Sequence, residues 1–366
     1  MKEMRAALYK EDNGEYIIEN VELIEPNANE VLVKVIASGM CHTDEFGKGI
    51  GLPLPIVFGH EGAGIVEKVG ENVKDIEVGD HVAFSYAYCG YCKNCISGMP
   101  QYCEHFNDIN FGGVGADGKT KLFQNGKPLS MFFGQSSFAT YSTINASSVV
   151  KVDKDVDLSI IAPMSCGIQT GAGAVLNTLK PSMDESIVVF GCGAVGMSAI
   201  MASKVARCKR IIAVARKEKD LILAKELGAT DVVDSSKVEN VAETLKELTN
   251  GGVDYAIDTT GNGNMILNAI KLTKYNGTII PLAPSGVIEN FNIGQDVLME
   301  MRTIKGINQG DSIPKVFIPR LVRLYKEGLF PLDKIITKYS FDDIGKAKED
   351  KDTGKCIKAV LVMSDK

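Results

Sequence analysis

Four cysteines, Cys89, Cys92, Cys95 and Cys103, fall within fifteen residues in the run YCGYCKNCISGMPQYC. Two-residue gaps let successive thiolates turn back onto one ion, and four soft sulfurs in tetrahedral array suit Zn2+ and close its coordination shell. Such a site has no vertex left for a substrate, so its chemistry is structural. An iron–sulfur cluster uses similar gaps, but the C-x3-C-P ending is missing here. The chain holds nine cysteines, an odd number, and its start, MKEMRAALYKEDNGEYIIE, lacks the apolar run of a signal peptide. Metal binding in a reducing cytoplasm therefore fits better than disulfides.

A second set of ligands is scattered: Cys41-His42-Thr43-Asp44, Gly59-His60-Glu61-Gly62 and Pro163-Met164-Ser165-Cys166-Gly167. Taken singly, a Cys reads as a small core hydrophobe and a His as a hydrogen-bonded structural residue. Taken together, two thiolates and one imidazole leave a fourth zinc position for water or substrate. A ligating imidazole needs its other nitrogen held, commonly by a carboxylate, which gives Asp44 a task.

A third constellation addresses phosphate. Gly191-Cys192-Gly193-Ala194-Val195-Gly196 follows the strand-like SIVVF and opens a helical run. In that context the first glycine permits a tight turn, the second lets backbone approach a pyrophosphate, and the third lets helix and strand pack closely. An NAD-binding unit would end its next strand on Asp or Glu, but RIIAV runs into Ala215, Arg216 and Lys217. Ala leaves room for a 2′-phosphate and a guanidinium grips it at two points, so the expected cofactor is NADP(H), with Arg216 the chief contact and Lys217 in support. The plainer alternative is a solvated basic helix start.

The elements that must position these groups fall into two textures. Up to about residue 141 come short β-type runs (6–9, 31–38, 64–69, 81–84) broken by Gly, Pro, Asn and Asp, which suggests a compact barrel-like β domain. After residue 163, strand-like runs at 187–190, 210–215, 254–258, 277–281 and 303–307 alternate with helical segments at 194–205, 217–227 and 238–249. Alternation of that kind builds a doubly wound parallel sheet. An amphipathic helix at 313–326 offers Val316, Ile318, Leu321, Val322 and Leu324 for one face, and 356–363 reads as a strand returning to the first domain. The apolar stretch 187–206 divides into strand, glycine turn and helix, which favours α/β core over a membrane span. The fold class is thus α/β, with a catalytic domain at 1–165 and 308–366 and a dinucleotide-binding domain at 166–307.

In 366 residues, hydrophobic types make up 45% and charged types 23%, as in ordinary globular proteins, and the net charge is −6. An acidic surplus argues against a nucleic-acid partner, which requires clustered Lys and Arg.

In their order along the chain, SGMCHTDEF, FGHEGAGIVEKVG, the cysteine lobe, SCGIQTGAGA, VVFGCGAVG and GKCIKAVLV resemble the zinc-containing medium-chain alcohol dehydrogenases over nearly the whole length. SCGIQTGAG looks particularly like the aryl or benzyl alcohol branch. The resemblance implies a GroES-like catalytic domain, a Rossmann domain, a catalytic zinc on Cys41, His60 and Cys166, and a structural zinc in the lobe. It further implies that Asp44 supports His60, that Glu61 lies near the metal and that Thr43 passes the substrate proton outward. Thr170 and Lys358 are implied on the cofactor, Lys358 at the pyrophosphate. His42 has two readings, pyrophosphate contact or proton transfer. Many members carry a relay histidine further along this loop, where Phe46 stands here. Ser85, Tyr86, Phe132 and Phe133 match the substrate channel, and aromatic lining favours an aryl or allylic primary alcohol or aldehyde. The same rings serve equally as core. The segment 290–306 corresponds to the sheet edge through which these enzymes pair as homodimers or homotetramers.

Two alternatives stay open at this level: an NAD-dependent polyol or secondary-alcohol dehydrogenase of the same family, and a zinc-free quinone or enoyl reductase. Metal analysis of the purified chain separates them in part. About two zinc ions per chain is the expected result; one ion indicates a structural role alone, and none indicates the reductase.

Overall fold

The computed structural model describes residues 1–12, 14–284 and 287–363. The chain divides into two compact units, Met1–Gly167 with Ile313–Leu324 and Leu332–Lys366, and Ile168–Ser312 with Tyr325–Pro331. The sequence placed the return at 308 and kept 325–331 with the first unit; the structure moves the return to Ile313 and gives Tyr325–Pro331 to the second. Residues 364–366, assigned to the first domain from sequence, lie outside the described residues.

In the first unit the strands are β1 (Lys2–Tyr9), β2 (Tyr16–Leu23), β3 (Glu30–Gly39), β4 (Ile56–Val57), β5 (Gly62–Val69), β6 (His81–Phe84), β7 (Leu122–Gln124), β8 (Lys127–Pro128), β9 (Ser130–Met131), β10 (Tyr141–Asn145) and β11 (Val149–Val152). In the second unit β12 (Ser186–Phe190), β13 (Arg210–Ala215), β14 (Asp231–Asp234), β15 (Val253–Asp258), β16 (Thr273–Pro281) and β17 (Thr303–Ile304) follow, and β18 (Ile336–Ser340) and β19 (Lys358–Val362) rejoin the first. Among the described residues one sheet runs β8-β7-β2-β1-β4-β9 and another β11-β6-β5-β3-β19-β18, with β10 also on β3.

Strand β3 explains why the first unit is barrel-like. Val31, Val33 and Val35 pack with Val66, Val82, Phe84 and Ile144, while Leu32 joins Ala6, Leu8 and Val57. A strand buried on both faces needs apolar residues at odd and even positions, and β3 has them. β19 pairs antiparallel with β3 (Val360 opposite Gly39), which carries Lys358 to the end of β3 where Cys41 begins.

The second unit is a parallel sheet in the order β14-β13-β12-β15-β16-β17. The three helices anticipated there appear as α6 (Ala194–Val205), α7 (Glu218–Leu227) and α8 (Val241–Thr249) when helices are numbered in chain order from α1 (His42–Lys48), α2 (Lys93–Ile96), α3 (Phe106–Phe111), α4 (Leu158–Ile161) and α5 (Gly167–Gly173). Val188, Phe190, Ile212 and Val214 of the sheet share a core with Leu245, Ile266 and Ile270. The amphipathic helix near the C-terminus, Pro314–Lys326, has a different face from the one proposed: Val316 is 69% exposed and Phe317 is buried instead. At 100° per residue, 317, 318, 321, 322 and 324 share one side and 316 falls opposite. No single helix among the described residues is long and apolar enough to cross a membrane.

Gly196 shows how tightly the glycine turn is built. A Cβ there would lie 1.9 Å from the Gly191 carbonyl oxygen, so α6 would have to move off β12. Gly196→Ala is expected to cost about 1–3 kcal/mol of stability, read from the urea midpoint; an unchanged midpoint would mean that the close approach is dispensable.

Candidate active site and cofactor cradle

Cys41 is the N-cap of α1, and the Asp44 side chain closes the turn by accepting the Cys41 N–H at 2.9 Å. The other Asp44 oxygen lies 2.8 Å from His60 Nδ1 and also accepts the Gly59 N–H at 3.2 Å. Gly59 itself has φ +94°, and a Cβ on it would strike the Phe138 nitrogen at 2.5 Å. That left-handed turn swings His60 inward. Cys166 arrives from the end of the 3-10 turn Ala162–Ser165, and its neighbour Gly167 donates its N–H to Glu61 Oε1 at 3.3 Å. The ligand atoms of Cys41, His60, Glu61 and Cys166 all lie within 4.8 Å of one another.

This cluster fits a metal. His60 is 1% exposed, yet its Nε2 has no hydrogen-bond partner. A buried, unpaired ring nitrogen is costly unless it has a ligand to meet. Asp44 on Nδ1 fixes the tautomer that frees Nε2 for coordination. The Cys166 thiol and the charges of Lys358 and His60 hold Cys41 well below the thiol range despite its burial, while the Cys41 sulfur and burial push Cys166 up. Burial pulls His60 down, but the Asp44 charge and hydrogen bond outweigh it and raise it well above the imidazole range. A cation entering the cluster displaces these protons.

Glu61 stands in the same cluster as the three ligands and has partners of its own. Lys358 Nζ lies 2.5 Å from its Oε2 and donates to the Met40 carbonyl at 3.0 Å. Burial pushes Glu61 up to about 7, against the pull of the Lys358 charge. A Cβ on Gly39 would sit 2.1 Å from Glu61 Oε2, so glycine is needed at the end of β3. Lys358 is 3% exposed, and its ammonium is engaged by Glu61 and Met40. The pairing of Glu61, just before β5, with Lys358, at the start of β19, carries no local sequence signal.

Around the cluster, Thr43 Oγ1 lies 3.7 Å from Cys41 Sγ. His42 is exposed at the first position of α1. Phe133 and Phe132 stack beside the His60 ring at 4.8 and 5.6 Å between centroids. Ser85 and Tyr86 are buried, and Ser85 Oγ donates to the Ser165 carbonyl at 3.2 Å. Phe46 is half exposed and meets Phe111, 6.0 Å away. Phe106, Asn110 and Phe111 of α3 belong to this neighbourhood and were not anticipated; FNDINF has no periodicity that marks a helix.

The four lobe cysteines also bring their sulfurs within 4.8 Å of one another, and all are free thiols. Cys89 N–H points to Cys103 Sγ at 3.4 Å and Cys92 N–H to Cys89 Sγ at 3.3 Å. Backbone N–H groups from Glu104 and Cys95 lower Cys92 to about 6, whereas burial raises Cys95 to about 12. Backbone donors on sulfur suit thiolates bound to a cation.

In the second unit the three glycines have separate tasks. Gly191 has φ +95° and a Cβ there would meet Thr259 Oγ1 at 2.3 Å; Gly193, the N-cap of α6, has nothing within 4 Å of such an atom. The open space at Gly193, with Ala194 and Val195 starting a 12-residue helix, is the cradle a pyrophosphate needs. Thr170 lies on α5. Ala215 ends β13, Arg216 follows it exposed, and Lys217 caps α7. Asp234, beside Ala215 at the end of β14, has its carboxylate on the Ser236 N–H and hydroxyl and 3.2 Å from Lys237.

The chain is similar to known proteins over nearly its whole length. A family model described as an alcohol dehydrogenase GroES-like domain matches residues 27–154, and one described as a zinc-binding dehydrogenase matches 194–327. The chain is 38% identical over 365 residues to the geraniol dehydrogenase of Castellaniella defragrans, covering 98% of this chain and 97% of that one. It is 33% identical to the class-P alcohol dehydrogenase of Arabidopsis thaliana, with 98% and 97% covered. The crystal structure of benzyl alcohol dehydrogenase from Acinetobacter calcoaceticus superposes with a TM-score of 0.95 at 40% identity, covering 100% of both chains.

Asp44→Asn keeps the side-chain shape but removes the charge and turns one of two acceptor oxygens in the tie between Cys41 and His60 into an NH2 donor. Zinc affinity at the catalytic cluster, measured by chelator competition, is expected to fall about 10–100-fold; wild-type affinity would show that His60 is oriented by packing alone.

Proposed function

The chain belongs to the zinc-dependent medium-chain alcohol dehydrogenases, and from that premise we propose that it interconverts a primary aryl or allylic alcohol and its aldehyde using NADP(H). The observation that carries the reading is the buried His60 Nε2 left without a partner among the sulfurs of Cys41 and Cys166. When bound, zinc supplies Lewis acidity toward a hydroxyl or carbonyl oxygen and the dinucleotide supplies or accepts the hydride.

The chain's own residues do the rest. Cys41, His60 and Cys166 would hold the metal, while Glu61 beside them has its oxygens on the Gly167 N–H and the Lys358 ammonium. Asp44 keeps a proton on His60 Nδ1. Thr43 Oγ1 takes the alcohol proton and hands it outward, and His42, exposed beside it, is available for that exit or for pyrophosphate. Phe132 and Phe133 keep water from the imidazole face, and aromatic walls favour a ring-bearing or unsaturated alcohol. Thr170 and Lys358 are assigned to cofactor binding, Lys358 through the ammonium proton that remains beside its contacts to Glu61 and the Met40 carbonyl.

Preference for NADP(H) rests on Ala215 and the exposed Arg216. The reading with NAD(H) draws on Asp234, an acid at the neighbouring strand end, but its carboxylate is engaged by Ser236 and Lys237. Two copies are assigned to pair through the free edge at β17, near which Leu298, Met299 and Met301 are 74%, 71% and 63% exposed. The enzyme is assigned to the cytoplasm, where its free thiols stay reduced.

Wild-type kcat/KM is expected to favour NADP+ over NAD+, and Arg216→Asp to lower the NADP+ value by about 10–100-fold, the worth of a charge-assisted phosphate contact. Equal use of both cofactors by the wild type would defeat the assignment.

A further inference from the structure

The cysteine lobe does not end at its last ligand. The Phe106 N–H donates to the Cys103 carbonyl at 3.0 Å, so α3 grows directly from the lobe. At its other end Asn110, 1% exposed, spends its whole side chain on docking. Nδ2 donates to the Ala87 and Phe106 carbonyls at 2.9 and 2.8 Å, and Oδ1 accepts the Ala87 N–H at 2.9 Å. The Asn110 backbone carbonyl accepts the Phe133 N–H, also at 2.9 Å. One residue thus ties α3 to the segment before the lobe and to the loop beside His60.

What α3 carries is aromatic. Phe111 lies 5.1 Å from Phe133, 5.8 Å from Phe132 and 6.0 Å from Phe46, and Phe106 lies 5.6 Å from Tyr86. Phe132 and Phe133 flank His60, so the rings form a shell that leads outward from the metal cluster. Its outer members pack against the core yet keep some ring surface open: Phe46 is 49% exposed, and Phe106 and Phe111 are half-buried. Ring surface held open this close to a catalytic imidazole is suited to another ring, since offset and edge-on aromatic pairs are attractive beyond their burial.

We infer that α3 is the specificity wall of the alcohol site, that Phe111 discriminates ring-bearing from small alcohols, and that Asn110 is the positioning residue that sets the wall. The lobe then has a task beyond stability: it delivers α3 to the substrate. This rests on the dehydrogenase reading given above. Phe46, which stands where a relay histidine occurs in many relatives, backs Phe111 rather than moving protons.

The test measures kcat and KM for benzyl alcohol and for ethanol on zinc-loaded enzyme, for the wild type, Asn110→Ala and Phe111→Leu. Each variant is expected to lower the benzyl-to-ethanol ratio of kcat/KM about tenfold, with the loss for benzyl alcohol carried by KM rather than kcat. An unchanged ratio overturns the inference, whether both substrates fall together or neither does. Phe111→Leu keeps every hydrogen bond of α3, so it decides the matter alone if Asn110→Ala does not fold. A wild type that favours ethanol would refute the aryl reading by itself, while the shift of the ratio in the variants still decides the wall.

Discussion

The Asp44 carboxylate is the constraint on which the catalytic cluster depends. It accepts the Cys41 N–H, the Gly59 N–H and the proton of His60 Nδ1. Two of the three metal-ligating residues thus take their orientation from a single buried group on the first turn of α1. Its satisfaction by three donors offsets the cost of burying a carboxylate. Cys41 and His60 are borne on different segments, and the Lys358 ammonium on Met40 and Glu61 and the Gly39 N–H on the Glu61 carbonyl add further ties between them. The third ligand, Cys166, is linked through the Gly167 N–H to Glu61, the residue after His60.

A second buried charge pair frames the first. Lys358 and Glu61 are 3% and 0% exposed, and removing either would strand the other in a low-dielectric interior. One Glu61 oxygen is on Gly167 and the other faces Lys358, so both are engaged beside the ligands. The cluster thus differs in its donors from the lobe, which gathers four sulfurs and no imidazole or carboxylate.

Much of this was legible in the sequence because the signals are chemical. Cysteines at C-x2-C-x2-C-x7-C, a carboxylate three residues after Cys41 and glycines at 191, 193 and 196 are scarce patterns with few physical uses. The parallel alternation after residue 163 was equally clear, since buried strands and amphipathic helices differ in period. What could not be read depends on tertiary contact. Val316 was placed on the wrong helix face because Phe317 and Val316 differ only by phase. The partner of Lys358 lies almost three hundred residues away, at Glu61, and α3 is a single short turn whose role becomes visible only when Asn110 is seen docked on Ala87 and Phe133.

Cys41, His60 and Cys166 are proposed to meet at one ion with a free fourth vertex. Anomalous X-ray diffraction at the zinc edge tests it directly. The predicted result is a peak about 2.3 Å from both sulfurs and about 2.0–2.1 Å from His60 Nε2, with solvent as the fourth ligand. An absence of density at that cluster in zinc-loaded protein, or a fourth position filled by Glu61, would contradict it.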